Sequence, residues 1–137
     1  MDYIITTIRA GGDAGRLFDE QTCLAHGVLG QETTGAGGFA MAIRSVPTLV
    51  YYCTLAREVA NPGHLIFNFT NPSGIITQAL RSKGFDNVYG ICDAPSGFIK
   101  QLEEILEIPY GTLDIECYGL NHLSWFRNAK VNGRDVQ

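Results

Sequence analysis

The sequence predicts an α/β protein whose strands form a parallel sheet. Short segments rich in β-branched and aromatic residues alternate with longer segments that have the spacing of amphipathic helices. The first strand segment, Asp2 to Ile8, is apolar almost throughout, as expected for a strand that is covered on both faces. Alternation of strands and helices favours parallel strands joined by right-handed crossovers.

The elements that follow the first strand are predicted from glycine, proline and helical spacing. Arg9 to Gly38 is rich in glycine and lacks apolar periodicity, so we expect a long connection of the kind that is often functional. Phe39 to Ala60 has helical spacing, with Pro47 as a kink, and the following "NPG" ends this helix. His64 to Thr70 is predicted to be the second strand.

The second half of the chain repeats the alternation. In "NPSGIITQALRSKG" a turn leads into a helix that ends at Gly84, and Asn87 to Cys92 is the third strand. Ser96 to Ile108 is predicted to be an amphipathic helix that is capped by its first residue. Thr112 to Leu120 is a fourth strand of the sheet, and a hairpin follows that turns at Asn132-Gly133.

Composition excludes several classes of protein. The 137 residues are 45% hydrophobic and 18% charged, which is typical of a folded domain. The net charge of −4 offers no basic surface, so we expect no nucleic-acid partner. We expect no membrane span either, because no apolar run reaches about 18 residues. The four cysteines form no paired motif and no signal peptide precedes them, which together predict a cytoplasmic protein.

Polar side chains follow the predicted strands at their carboxyl ends. In a parallel sheet these ends meet at one edge, and ligands bind beyond that edge. The strand-end residues are Arg9, Asn71, Cys92, Asp93, Asn121 and His122. We therefore expect the chemistry of the protein at this edge.

Cys92 and His122 are the first candidate pair. A thiolate and an imidazole suit a borderline-soft divalent metal. The same residue types also fit a cysteine nucleophile with a histidine base, or a core cysteine and a loop histidine without chemistry. Asp93 is either a general acid or a cap of the following helix.

Two further residues are candidates for substrate binding. Asn71 offers an amide to a substrate hydroxyl, although Asn-Pro is also an ordinary turn signal. Arg16 is suited to a phosphate or carboxylate, unless it pairs with Asp19 or Glu20 on a short helix. The glycines of "GAGG" precede a predicted helix, where backbone amides are able to hold an anion.

Five ordered stretches resemble one known family. They are "IRAGGDAGRLFDE", "GQETTGAGGFAMAIRSVP", "FNFTNPSGIITQAL", "GICDAP" and "YGLNHLSW", and they extend from about Tyr3 to about Trp125. In order and spacing they resemble the NAD- and manganese-dependent glycosidases of glycoside hydrolase family 4, which include 6-phospho-β-glucosidases and 6-phospho-α-glucosidases. These enzymes are exceptions to the two-carboxylate mechanism of most glycosidases.

The resemblance implies a Rossmann-like parallel sheet of the lactate/malate dehydrogenase type, incomplete at both ends of this chain. Residues 1–137 would then be a single partial NAD-binding and catalytic domain, in which the substrate half begins near residues 120–137. The Gly-x-Gly fingerprint and the tyrosine base of the family have no counterpart in 1–137. We therefore expect these 137 residues alone to be inactive.

The resemblance also implies a mechanism and assigns residues to it. The family oxidises the sugar at C3 with NAD, eliminates the aglycone with the help of a divalent metal such as Mn²⁺, and then adds water. By motif position Cys92 and His122 match the metal ligands. Arg16, Asn71 and Asn121 match substrate-binding positions, and Asp93 matches the proton donor of the 6-phospho-α-glucosidase branch.

The expected substrate is a phosphorylated disaccharide or glucoside, and the motifs favour a 6-phospho-β-glucosidase. Asp93 departs from that branch, where most sequences have asparagine, so a 6-phospho-α-glucosidase or another enzyme acting on α-glycosides is the first alternative. An NAD-dependent 2-hydroxyacid dehydrogenase is the second, and an inactive truncated module that associates with itself is the third. We also expect a homo-oligomer, because incomplete sheets leave edges that pair.

Overall fold

The computed structural model describes residues 1–136, which divide into two units, Met1–Ile91 and the residues from Cys92 onward. The first unit contains, in chain order, β1 (Tyr3–Thr6), α1 (Gly12–Ala25), α2 (Gly35–Val59), β2 (Leu65–Asn68), α3 (Ser73–Ser82) and β3 (Val88–Gly90). The second unit contains α4 (Ala94–Ile105), β4 (Leu113–Leu120), β5 (Leu123–Val131) and β6 (Arg134–Asp135).

Strands β1, β2 and β3 form the predicted parallel sheet, in that order. Ile4, Ile66 and Val88 lie side by side on one face, and this face packs on α2 and α3. The helices contribute Leu49, Cys53, Ala56, Ile76 and Leu80 to the core. Burial of these apolar side chains is the main source of stability of the first unit.

The opposite face of the sheet is open in the first unit. Tyr3 and Ile5 of β1 are 69% and 64% exposed, and the rings of Tyr3, Phe67 and Tyr89 form a row across the strands. The prediction that the first strand is covered on both faces is therefore wrong for residues 1–136. Sequence pattern reports that both faces of a strand are apolar, but not which residues of the chain cover them.

The segment Arg9 to Gly38 is more ordered than expected. It contains α1 and the first turn of α2, which begins at Gly35 rather than at Phe39. Helix α1 lacks an apolar stripe because the residues that it buries are the polar Asp19 and the small Cys23. A pattern search that relies on apolar spacing therefore misses this helix.

An ion pair holds α1 against α2. The buried carboxylate of Asp19 accepts hydrogen bonds from both terminal nitrogens of Arg44, one of them at 2.9 Å. Hydrogen bonding to Asp19 raises the pKa of Arg44. Arg44 Nε also donates to the carbonyl of Ala10 at 3.3 Å. A bidentate pair of this kind fixes both distance and orientation between two helices.

Two glycines let the loop before α2 pack directly on the helix. A Cβ atom on Gly37 would lie 2.5 Å from the carbonyl oxygen of Gln31, and one on Gly38 would lie 2.5 Å from backbone atoms of Thr33. Both glycines are buried. The "GAGG" sequence is thus explained by close backbone approach.

Helix α2 runs without interruption through Pro47. Among residues 1–136 it is long and apolar enough to cross a membrane, contrary to the expectation that no segment meets this criterion. The core helices of soluble proteins pass the same test, and α2 buries Leu49, Cys53 and Ala56 in the core of the first unit.

The second unit is an antiparallel sheet in the order β4-β5-β6 with α4 beside it. The expected fourth strand exists as β4, but its placement in the parallel sheet is wrong. It pairs with β5 from Leu113↔Val131 to Leu120↔Leu123 through a two-residue turn. The predicted hairpin at Asn132-Gly133 is confirmed, because Val131 pairs with Arg134 and both turn residues have positive φ.

A buried carboxylate joins α4 to the start of β4. Glu103 is 3% exposed, and its Oε1 accepts the backbone N–H groups of Thr112 at 2.9 Å and Leu113 at 3.0 Å. The rings of Phe98 and Phe126 lie 4.6 Å apart and add an apolar contact between α4 and β5. These contacts fix the hairpin relative to the helix within the second unit.

We predict that Asp19→Ala lowers the free energy of unfolding of the first unit by about 2–3 kcal/mol, because the Arg44 charge loses its buried partner. Urea unfolding measures the change. Asp13→Ala is the matched control on the same helix, since the Asp13 side chain is 94% exposed in its pair with Arg9. Equal effects of the two substitutions would contradict the assignment.

We predict that Gly38→Ala destabilises the first unit, because the new Cβ would lie 2.5 Å from backbone atoms of Thr33, which would have to shift. Gly74→Ala is the control, since a Cβ at this helical position meets nothing within 4 Å. The control is expected to be neutral or to stabilise by about 0.5–1 kcal/mol. Thermal unfolding distinguishes the two, and a neutral Gly38→Ala would count against the packing argument.

Candidate functional site

Cys92 and His122 come together in the second unit. The Sγ atom of Cys92 lies 3.5 Å from Nε2 of His122, although 30 residues separate them in sequence. Cys92 is half-buried and His122 is exposed. The pair that the sequence singled out is therefore a spatial pair, open to solvent on the imidazole side.

Local backbone structure fixes both side chains. Cys92 stands directly before α4, and the backbone N–H of Ala94 donates to its Sγ at 3.5 Å. His122 is the second residue of the turn between β4 and β5 and has a positive φ of 59°. Gly119 makes this tight hairpin end possible, because its φ is 117° and a Cβ there would lie 2.5 Å from the Leu123 carbonyl oxygen.

The geometry of the pair fits two ligands of one metal ion. Sulfur and nitrogen ligands at about 2.3 and 2.1 Å from a shared ion lie about 3.1–3.6 Å apart, for bond angles between 90° and tetrahedral. The observed 3.5 Å falls in this interval. Within residues 1–136 no group of three or more His, Cys, Asp or Glu side chains is assembled around a metal position. Two protein ligands leave coordination positions for substrate or water, as catalytic sites require.

The same 3.5 Å separation also suits a thiol that hydrogen-bonds to an imidazole. The nucleophile–base interpretation of Cys92 and His122 is therefore compatible with the distance. Cys92 is half-buried and its Sγ faces an imidazole, so it is not a core cysteine.

Asp93 lies next to this pair in sequence, and its carboxylate has no hydrogen-bond or ion-pair partner within residues 1–136. It occupies the N-cap position of α4, yet its side chain makes no capping hydrogen bond. Its backbone carbonyl instead accepts from Gly97 N–H at 2.8 Å and Ser96 Oγ at 2.9 Å. The helix begins at Ala94, so the prediction that Ser96 is the cap is wrong. The Asp93 side chain is exposed and free for proton transfer.

Asn121 precedes His122 in the hairpin turn. Its Oδ1 atom is buried and has no hydrogen-bond partner within residues 1–136. Buried side-chain acceptors in folded proteins are rarely left without a donor. An enclosed amide oxygen without a donor among the described residues is therefore an unusual feature of this turn.

In the first unit, Asn71 lines a cavity of about 200 Å³ at the carboxyl ends of β1 and β2. The cavity is also lined by Thr7, Ile8, Arg9, Glu32, Met41, Phe69 and Thr70. Asn71 is half-buried and its side chain makes no hydrogen bond among the described residues. Its amide is thus available to a ligand in this cavity.

Arg16 lies on α1 and is held by two carboxylates. Its Nε donates to Glu20 at 2.8 Å and lies 3.6 Å from Glu32, while Asp19 pairs elsewhere. The hydrogen bond to Glu20 and the charge of Glu32 raise the pKa of Arg16. The pair with Glu20, which was the alternative to a substrate-binding role of Arg16, is present, and the substrate-binding role stays a prediction. Because only Nε is engaged, the two terminal nitrogens keep their capacity to bind a phosphate.

Glu32 is a site residue that the sequence argument did not single out. It pairs with Arg9, approaches Arg16 and lines the same cavity as Asn71. The signal was present, since Arg9, Arg16 and Glu32 are among the six charged residues of the glycine-rich segment Arg9 to Gly38. Their meeting depends on the packing of the Gln31–Thr33 loop against Gly37 and Gly38, which pattern alone does not reveal.

The amides just before the glycine-rich turn are engaged by a side chain. Gln31 Oε1 accepts the backbone N–H groups of Thr33 and Thr34, the latter at 2.7 Å. These amides precede the "GAGG" glycines, so the interpretation of "GAGG" as an anion site stays a prediction. Gly37 and Gly38 also support the loop that carries Glu32 by close backbone approach.

The model of the "Family 4 glycosyl hydrolase" family matches residues 1–108. A 6-phospho-beta-glucosidase from Thermotoga maritima is 40% identical over 135 residues, which cover 98% of this chain and 32% of that protein. This chain therefore spans about a third of the length of the curated relatives that it matches.

Solved structures show the same likeness. The structure of a 6-phospho-alpha-glucosidase from gut microorganisms, in complex with NAD and Mn²⁺, is 35% identical with a TM-score of 0.89, and covers 98% of this chain and 31% of its own. The Thermotoga maritima 6-phospho-beta glucosidase with manganese, NAD⁺ and glucose-6-phosphate is 40% identical with a TM-score of 0.84, for 98% and 33% coverage. The predicted Rossmann-like α/β fold is confirmed, and this chain belongs to family 4 of the glycosyl hydrolases.

Proposed function

We propose that the complete protein hydrolyses 6-phospho-glucosides with NAD and a divalent metal such as Mn²⁺. The observation that carries the proposal is the meeting of Cys92 Sγ and His122 Nε2 at 3.5 Å in a chain of this family. Relatives of both anomeric classes support the substrate class, and two solved structures hold NAD with manganese. The alternative of a 2-hydroxyacid dehydrogenase is set aside because the chain belongs to a glycosyl hydrolase family.

Cys92 and His122 are proposed to hold the metal. When bound, the metal supplies Lewis-acid polarisation of a sugar carbonyl, while NAD supplies reversible oxidation of the sugar. The part of this chain is to fix the sulfur and the nitrogen at a distance that one ion spans. The start of α4 and the turn between β4 and β5 provide that rigidity. The site for the NAD pyrophosphate is expected outside residues 1–137.

The residues that match the substrate-binding positions of the family are proposed to bind the sugar in the complete protein. The terminal nitrogens of Arg16 suit a 6-phosphate, and the Asn71 amide suits a ring hydroxyl. Asn121, which matches a substrate-binding position by motif, is proposed to hydrogen-bond another hydroxyl. The exposed carboxyl of Asp93, which matches the proton donor of the 6-phospho-α-glucosidase branch, is proposed to deliver a proton to the departing oxygen of α-glycosides.

Within this class we propose the β anomer as the preferred substrate, as the motifs indicated. The proposal is open to a direct test, because Asp93 is the residue that departs from the β branch. A cytoplasmic location, a homo-oligomeric state and the assignment of 1–137 to one partial NAD-binding and catalytic domain also remain proposals.

The metal proposal predicts that the protein encoded by the complete reading frame binds Co²⁺ with a thiolate-to-cobalt charge-transfer absorption. Cys92→Ser should abolish this absorption and His122→Ala should weaken Co²⁺ binding, since each removes one ligand. Cys117→Ser is the control, because Cys117 is an exposed free cysteine in the same unit. Persistence of the absorption in Cys92→Ser would refute the assignment, and the measurement does not depend on activity.

The catalytic proposal predicts cleavage of an aryl 6-phospho-β-glucoside by the protein from the complete reading frame, only when NAD and Mn²⁺ are present. Cys92→Ser should be inactive. Asp93→Asn should leave β cleavage nearly unchanged if Asp93 serves only the α anomer, and should reduce α cleavage about 10²–10⁴-fold. Cleavage that proceeds without NAD would place the reaction in another mechanistic class.

A further inference from the structure

A buried amide, that of Asn68, lies at the carboxyl end of β2 and is fully enclosed, with 0% exposure. Asn68 is the last residue of β2 and stands three residues before Asn71. Neither the sequence argument nor the proposed mechanism assigns it a role. A buried asparagine has a cost unless its amide oxygen and nitrogen both find partners, so its contacts indicate what it does.

The amide oxygen of Asn68 joins two strand ends. Oδ1 accepts the hydroxyl of Thr6 at 2.9 Å, which is the last residue of β1, and the backbone N–H of Thr70 at 3.3 Å. The hydroxyl of Thr70 in turn accepts the N–H of Ile8 at 3.1 Å. These bonds tie the end of β1 to the segment that follows β2.

The amide nitrogen of Asn68 contacts the backbone on both sides of Asn71. Nδ2 donates to the carbonyl of Thr70 at 3.2 Å, and makes longer contacts with the carbonyl of Ser73 at 3.5 Å and the hydroxyl of Thr77 at 3.4 Å. Thr70 and Ser73 flank Asn71 and Pro72. One side chain therefore holds the backbone on both sides of the cavity-lining asparagine.

The backbone of Asn68 extends the same network to β3 and α3. Its carbonyl accepts the N–H of Ile91 at 3.0 Å and the hydroxyl of Ser73 at 3.2 Å. A Cβ on Gly90 would lie 2.6 Å from Thr77 Oγ1 and 3.0 Å from Ser73 Oγ. Gly90 thus leaves the room that the start of α3 needs beside β3. Such connected networks are rigid when every member is satisfied.

We infer that Asn68 is the positioning residue that orients Asn71 for the sugar. The Asn68 amide hydrogen-bonds to the backbone of Thr70 and contacts that of Ser73. The side chain of Asn71 is therefore not needed for these bonds, and it faces the 200 Å³ cavity. The inference rests on the proposed role of Asn71 in substrate binding. Asn68 does not line the cavity, and it acts through the backbone on either side of Asn71.

The test compares Asn68→Asp with Thr6→Val in the protein from the complete reading frame. Aspartate keeps an oxygen for Thr6 and for the Thr70 N–H, but turns a donor into an acceptor that repels the carbonyls of Thr70 and Ser73. We expect KM for the aryl 6-phospho-glucoside to rise about tenfold while kcat changes much less. Thr6→Val also removes a buried hydrogen bond, yet leaves the bonds around Asn71, so KM is expected to stay the same.

A double-mutant cycle separates positioning from general loss of stability. If Asn68 acts through Asn71, the effect of Asn68→Asp on KM should disappear in an Asn71→Ala background. A tenfold effect that persists there in full would overturn the inference. If Asn68→Asp does not fold, Asn68→Ser enters the same cycle, because it breaks the contacts to Thr70 and Ser73 without adding a charge.

A second measurement is independent of glycosidase activity. The side-chain amide resonances of Asn71 in the substrate-free protein should shift or broaden in Asn68→Asp and stay unchanged in Thr6→Val. Unchanged Asn71 resonances in a folded Asn68→Asp protein would also overturn the inference. If the unsubstituted protein cleaves no 6-phospho-glucoside, the proposed function fails, while these resonances still decide whether Asn68 positions Asn71.

Discussion

The packing of α2 and α3 on one face of a parallel sheet is the constraint from which the first unit follows. Leu49, Ile76 and Leu80 of the helices meet Ile66 and Val88 of the strands, and all are 0–1% exposed. Each such side chain contributes about 1.5–3 kcal/mol on burial. With the helices fixed there, the strands run parallel, and their carboxyl ends share one edge. That edge is where the polar residues of the first unit collect.

Polar chemistry at this edge is built in two layers. The inner layer is the hydrogen-bonded set around Asn68, which joins Thr6 at the end of β1 to Thr70 after β2. The outer layer is the charged set of Arg9, Arg16 and Glu32. Glu32 is shared by the two guanidinium groups, and each of them has a second carboxylate neighbour, Asp13 for Arg9 and Glu20 for Arg16. The inner layer provides a fixed geometry for the outer one.

In the second unit, the backbone geometry of a turn positions the candidate residue His122. A two-residue turn between β4 and β5 reverses the chain, and Gly119 and His122 adopt positive φ to allow it. The pairing of β4 with β5 and the bonds from Glu103 make this turn a rigid support. The imidazole of His122 is thereby held beside a sulfur that the start of α4 fixes independently. Rigid supports of this kind are what metal or nucleophile chemistry requires.

The amino-acid sequence by itself determined the strand and helix alternation, the residues at the strand ends and the family motifs. It did so because β-branched runs, helical spacing and Asn-Pro or Asn-Gly turns act over a few residues and leave a local signal. The strands β1 to β3, the helices α2 to α4 and the turn at Asn132-Gly133 were predictable for this reason. Cys92 and His122 were identified as a pair from their residue types and their strand-end positions.

Tertiary structure alone decided the rest. Helix α1 escaped prediction because an ion pair between Asp19 and Arg44 anchors it, rather than an apolar stripe. Strand β4 is not part of the parallel sheet, because its backbone hydrogen-bonds to the neighbouring strand β5 instead. No pattern within β4 reveals this partner. The meeting of Glu32 with Arg16, and of Asn68 with Thr6, joins residues 16 and 62 positions apart. Such contacts arise from how the elements pack in space, and a linear pattern carries no record of that packing.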